Sequence, residues 1–163
     1  MRHTITVSVE NKFGVLARIS GLFSARGYNI SSLAVSETLD PEISCMTIVV
    51  DAKDEKILEQ IKKQLNKLID VISITDFTKR EHVERELILA KVNHSLKDKA
   101  KLDNIVNSYV AKIVFSKNKT AIIEAVGEQD NIKKLLEELR RFTVVELIRT
   151  GKIAMAKGDT QDD

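Results

Sequence analysis

The 163-residue chain predicts an α+β protein of two small domains with one topology, each an antiparallel sheet carrying two helices on one face. Three observations point there. The apolar periodicity switches between two and about 3.6 residues in the order strand, helix, strand, strand, helix, strand, and that order occurs twice. A charge-dense run, KREHVERE from Lys79 to Glu86, separates the copies. The 43% hydrophobic content can supply both cores, which excludes a chain disordered throughout.

In the first copy, His3 to Glu10 alternates, with Ile5, Val7 and Val9 on one face and Thr4, Thr6 and Ser8 on the other, as a half-buried strand requires. From Val15 the stripe becomes Val15, Leu16, Ile19, Leu22 and Phe23, the spacing of a helix that Gly27 ends. Ile30 to Glu37 and Ser44 to Asp51 form a hairpin through Asp40 and Pro41. Asp54 is placed to cap a helix bearing Ile57, Leu58, Ile61, Leu65 and Leu68, and Val71 to Thr78 is the fourth strand. This domain takes residues 1–78, and residues 79–85 form a linker.

The second domain, residues 86–158, repeats the order. Leu87 to Val92 is a strand, and Leu102, Ile105, Val106 and Tyr109 mark a helix. Lys112 to Phe115 and Thr120 to Val126 flank the turn SKNK. Asp130 caps a helix with Ile132, Leu135, Leu136 and Leu139, and Val144 to Arg149 is the last strand. Right-handed crossovers put both helices of each copy on one face, giving two ferredoxin-like βαββαβ domains whose other faces stay open to a partner. Residues 159–163 are small, polar and acidic, and predict a frayed tail.

Composition narrows the function. Twenty-six basic residues against 24 acidic give +2, so no overall field favours nucleic acid or anionic lipid. With no Trp, two Tyr and five Phe, base-stacking platforms are hard to build, and the lysines from Lys53 to Lys67 read as a solvated helix face. Cys45 is alone, which excludes an intrachain disulfide and a cysteine-rich zinc site. No apolar run resembles a signal core or approaches the ~20 residues of a membrane span, so a soluble cytoplasmic protein is expected, with no membrane partner.

The usual catalytic constellations do not assemble. His3, His82 and His94 lack metal-ligand spacing and read as surface residues, so no metal site is expected. Ser20 and Ser24 lie on the solvent side of their helix, and Gly14, Gly21 and Gly27 do not make a dinucleotide fingerprint. What remains is the corner ENKFGVL, Glu10 to Leu16, where a glycine opens a helix and free N–H groups can hold a carboxylate. Asn11 adds a donor and an acceptor without charge. Local chemistry leaves a second reading open, in which Asn11 only caps the helix and Gly14 only permits a turn. Gly27-Tyr28-Asn29-Ile30 places another amide where the chain enters the next strand.

At these residues the chain resembles a known family. The run ENKFGVLARISGLFSARGYNISSLAVSETLDPEISCMTIVV is similar to the N-terminal ACT domain of acetohydroxyacid synthase small subunits. The resemblance continues through QLNKLIDV at Gln64 to Val71, Arg85-Glu86-Leu87, Lys91-Val92 and Arg149-Thr150-Gly151, and so covers nearly the whole chain. Cys45 stands where the family usually has Arg, and Val110 and Val114 where it tends to have Arg and Asp.

The resemblance implies a non-catalytic regulatory subunit that activates a catalytic large subunit and confers feedback inhibition by valine in branched-chain amino-acid biosynthesis. It implies a homodimer through the ACT domains, with second strands paired edge to edge. The effector would lie between subunits, with Asn11, Gly14, Val15 and Leu16 of one meeting Asn29 and Ile30 of the other. No cofactor of its own is implied, since thiamine diphosphate, magnesium and FAD belong to the large subunit. Two other functional classes lack the parts they need. A stand-alone amino-acid-sensing transcriptional regulator needs a DNA-binding helix pair that two complete domains leave no room for. A free-standing enzyme needs a nucleophile and base that are not visible.

Overall fold

Two βαββαβ motifs succeed one another along the chain. The structure, a computed structural model, describes residues 2–52 and 55–158. It divides into one unit formed by the chain up to Val83 with the segment from Lys152 onward, and a second unit of Glu84–Gly151.

In the first unit the elements are β1 (Arg2–Glu10), α1 (Val15–Ala25), β2 (Asn29–Glu37), β3 (Ile43–Asp51), α2 (Glu55–Leu65) and β4 (Val71–Asp76). The strands pair antiparallel in the order β2-β3-β1-β4, leaving β2 and β4 at the edges. Because β1 alternates, Ile5, Val7 and Val9 all point one way. They pack with Met46, Ile48 and Val50 of β3, and α1 and α2 close the layer with Ile19, Phe23, Leu58 and Ile61. The register Ile5↔Ile48 and Val7↔Met46 is fixed by this burial, since a one-residue slip would turn the hydroxyls of Thr4 and Thr6 into the core.

α1 ends as its sequence predicts. Gly27 takes the left-handed conformation at φ 69, Tyr28 N–H donates to Phe23 O (3.0 Å) and Gly27 N–H to Ser24 O (3.1 Å), the paired bonds of a Schellman motif. β4 stops at Asp76 rather than Thr78, because the Asp76 carboxylate accepts the Thr78 N–H (2.9 Å) and turns the chain out of the ladder. The expected cap Asp54 and the expected tail 159–163 lie outside the described residues.

The second unit holds β5 (His82–Asn93), a 3-10 turn at Leu96–Asp98, α3 (Lys99–Asn107), β6 (Ala111–Lys117), β7 (Thr120–Gly127), α4 (Gln129–Leu139) and β8 (Thr143–Arg149). Its order is β6-β7-β5-β8. A further short strand, β9 (Ile153–Ala156), lies in the segment that belongs to the first unit. The core joins Ile88, Ala90 and Val92 to Ile123, Leu102, Val106, Ile132 and Leu135.

Three differences from the sequence reading have physical causes. β5 begins at His82, inside the expected linker, because charges along it are held in ion pairs, Arg85 with Glu128 (3.4 Å) and the next residue, Glu86, with Arg149. Glu86 is only 5% exposed, and its carboxylate accepts both Nε (2.6 Å) and Nη2 (2.7 Å) of Arg149 on β8. α4 starts at Gln129 with Glu128 before it, so Asp130 does not cap the helix but sits in its first turn, where the dipole favours a carboxylate. β9 was not foreseen, since four residues of IAMA are too short to show a period.

Candidate functional site

The corner between β1 and α1 is built by backbone demand. Gly14 precedes the first helical residue with φ 82, a conformation open to glycine and costly to most side chains, and no side chain caps the helix. Arg18 N–H donates to Gly14 O (2.9 Å) and Val15 N–H to Lys12 O (3.3 Å). The N–H groups of Gly14, Leu16 and Ala17 have no partner among the described residues. They form a small field of donors at the positive end of the helix, suited to a carboxylate.

Asn11 does not cap α1. Its backbone N–H donates to Glu42 O (2.6 Å) and its side-chain Nδ2 to Pro41 O (2.8 Å), fastening the corner to the loop between β2 and β3. A carbonyl only accepts, so this contact fixes the amide orientation and leaves Oδ1 without a protein donor among the described residues. Such an oxygen can accept from an ammonium group.

Val15 turns its side chain into the core, so it offers the corner only main chain, whereas Leu16 is half exposed and Phe13 fully exposed. Apolar surface therefore flanks the free donors. The corner is also anchored from below. Arg18 Nη2 lies 2.8 Å from Asp70 Oδ2, Asp70 is buried at the start of β4, and Asp70 O accepts the Glu10 N–H (2.9 Å). Sequence reasoning gave Asp70 no role, because a lone acid before a strand looks like any turn residue. Lys12 Nζ bonds Glu10 Oε2 (2.7 Å), and this hydrogen bond raises the Lys12 pKa.

Asn29 and Ile30 lie elsewhere in the same unit. Asn29 pairs with Asp51 at the far end of β3, while Asn11 follows Glu10, which pairs with Ile43 at the near end. The Asp51 carboxylate accepts from Ser31 Oγ (2.6 Å) and Asn29 Nδ2 (3.4 Å), and these bonds, with the charge of Arg2, hold its pKa below the usual carboxylate range. Ile30 is partly buried against the core. Within one chain the structure thus unites Asn11, Gly14, Val15 and Leu16 but holds Asn29 and Ile30 apart from them.

Two histidines depart from the surface reading. His3 and His94 are both buried, His3 bonding Thr78 Oγ1 through Nδ1 (3.1 Å) and His94 bonding Ser95 O through Nδ1 (3.0 Å). A histidine at a strand end is buried by the turns packed on it, which periodicity does not report. Burial pushes the Cys45 thiol up, disfavouring the reactive thiolate. Among the described residues no helix is long and apolar enough to cross a membrane.

Comparison with known proteins matches both units. Residues 5–73 fit the family described as AHAS small subunit-like ACT domain, and residues 85–158 fit the family described as small subunit of acetolactate synthase. The acetolactate synthase small subunit of Bacillus subtilis is 38% identical over 161 residues, covering 99% of this chain and 94% of that protein. That of Aquifex aeolicus is 43% identical over 157 residues, covering 96% of this chain and 81% of the relative. The crystal structure of the small subunit from Thermotoga maritima superposes with a TM-score of 0.88 at 34% identity, over 98% of this chain and 99% of that one. With two matched units, relatives aligned almost end to end and the same fold in a solved structure, the chain belongs to the acetolactate synthase small-subunit family.

Proposed function

We propose that the chain is the regulatory subunit of acetolactate synthase, which activates a separate catalytic large subunit and, on binding valine between two copies of its first unit, lowers that activity. The observation that carries this reading is the division of the site between opposite ends of β3. β2 is an edge strand, and pairing it antiparallel with its own copy across a two-fold axis would set Asn29 of one subunit opposite Glu37 of the other. Glu37 pairs with Ser44, beside the Ile43 that faces Glu10, so the partner's amide would arrive at the corner of Asn11 and Gly14.

In such a dimer the N–H groups at Gly14 and Leu16 hold the effector carboxylate, and Asn11 Oδ1 and the arriving Asn29 take the ammonium. Leu16 and Ile30 line the apolar end. Burying a valine side chain contributes ~1.5–3 kcal/mol, which with these contacts makes a modest metabolite site. The coupling to catalysis is then on the order of 1–3 kcal/mol and reciprocal, so the large subunit's state alters valine affinity by the same factor. Thiamine diphosphate, magnesium and FAD would reside in that large subunit, and the assembly in the cytoplasm.

Co-purification with the catalytic subunit, followed by titration of activity with valine, leucine and isoleucine, tests the proposal. Raised activity on association and saturable inhibition by valine are expected. Association without any response to a branched-chain amino acid would contradict it.

A further inference from the structure

The exposed apolar side chains of the first unit gather at one end. Glu10 pairs with Ile43, Glu37 with Ser44 and Val9 with Val71, so the β1–α1 corner, the β2–β3 hairpin and the turn between α2 and β4 leave the sheet together. They are also tied to one another. Asn11 donates to Glu42 O and Pro41 O in the hairpin, and the Glu10 N–H donates to Asp70 O in the turn. Each of the three tips carries one large apolar side chain in full solvent: Phe13 in the corner, Leu39 in the hairpin and Ile69 in the turn, the least exposed of them at 95%.

The rest of the unit makes this a polarity rather than a scatter. Leu16, Val35 and Ile72, the other large apolar side chains left exposed among the described residues up to Thr78, stand at the same ends of α1, β2 and β4. The opposite end is charged, with Arg2 facing Asp51 (3.5 Å), Lys62 facing Asp76 (3.3 Å) and Lys79 facing Glu55 (3.0 Å). Single exposed apolar side chains are ordinary on a surface, whereas three loop tips bonded together that each carry one mark a contact.

We infer that this end of the first unit docks on the catalytic subunit, given the regulatory role proposed above. A second copy does not account for it, because antiparallel pairing of β2 across a two-fold axis turns the two patches to opposite ends of the joint sheet. Glu37, Asp40 and Glu42 are exposed and enter no ion pair among the described residues, so the hairpin presents Leu39 within an acidic rim. The catalytic subunit meets it with an apolar patch flanked by basic side chains. Phe13 and Leu16 bracket Gly14, so an effector carboxylate held at the corner lies on the border of the contact, where its arrival alters the hold on the partner.

Titrating the full chain against the catalytic subunit, as wild type, as Phe13→Ser/Leu39→Ser/Ile69→Ser and as Glu42→Lys, with the bound fraction as readout, tests this. The Kd is expected to rise on the order of tenfold or more in the triple variant, and by a smaller factor in Glu42→Lys. Because all three apolar side chains are exposed, the triple variant is expected to keep the urea midpoint of the wild-type chain and, by light scattering, its mass. A Kd unchanged in either variant overturns the inference while the regulatory role stands. A triple variant of lower mass than wild type also overturns it, since a second copy would then cover the patch. A wild-type chain that does not bind the catalytic subunit removes both the role and the inference.

Discussion

Asn11 and Asn29 lie beside opposite ends of β3, Asn11 next to Glu42 and Asn29 paired with Asp51, so that one chain cannot bring both to one ligand. A strand of nine residues spans roughly 27 Å at about 3.4 Å per residue, several times the length of a valine. An effector site that used both amides, as proposed, would therefore need two chains.

Gly14 separates charge from conformation in that site. Its φ of 82 costs most side chains ~1–2 kcal/mol, although a Cβ there would meet no atom within 4 Å. Asp and Asn tolerate this region best. Gly14→Asn and Gly14→Asp should lose similar stability in urea, while calorimetry finds valine binding weakened in Gly14→Asn and abolished in Gly14→Asp. Equal loss of binding in both would mean that the ligand carboxylate is not held there.

The Arg18–Asp70 pair should matter more than its half-exposed arginine suggests. Arg18→Ala leaves a buried carboxylate without its cation and should cost about 1–3 kcal/mol in urea denaturation. Adding Asp70→Asn should restore part of that loss, because a neutral amide is cheaper to bury. An additive double variant would show the pair to be uncoupled.

Phe23 and Phe13 are ten residues apart in number and opposite in effect. Phe23 is buried on the core face of α1, and Phe23→Ala should cost ~3–5 kcal/mol. Phe13 is 103% exposed, so Phe13→Ala should change stability by no more than ~0.5 kcal/mol. Thermal denaturation of the two variants checks the contrast.

Asp76 gives the first unit an acid dependence. Burial pushes its carboxyl up, but the hydroxyl and N–H of Thr78 and the charge of Lys62 outweigh this and hold its pKa below the ordinary value of about 3.9. A depressed folded pKa contributes stability above the unfolded value and loses it as pH falls through the folded one. Wild type should therefore exceed Asp76→Asn in stability at neutral pH by at most ~1 kcal/mol, since the group is partly solvated, and the gap should close below about pH 4. A gap unchanged at pH 3 would contradict the assignment.

Much of the fold was legible because β1, α1, β3 and α2 each bury one face, and burial writes a period. The start of β5 was not, because its charges are paired in the ladder and a pair such as Glu86–Arg149 leaves no trace in a charge count. His3 and His94 were misplaced for a related reason, since turns rather than their own strands bury them. At the candidate site the residue types at the β1–α1 corner were legible, but the bond from Asn11 to Pro41 was not, because it joins segments 30 positions apart. Asp70 was equally hidden, since its importance lies in the arginine it meets.

Subunit complementation decides whether the site is shared. Gly14→Asp and Asn29→Ala should each abolish or strongly weaken valine binding alone. In a dimer mixed from the two, one corner keeps its glycine and faces an intact Asn29, so calorimetry on the equilibrated mixture should recover roughly a quarter of the wild-type sites at near wild-type affinity. No recovery, in mixed dimers shown to have formed, would contradict a site built from both chains.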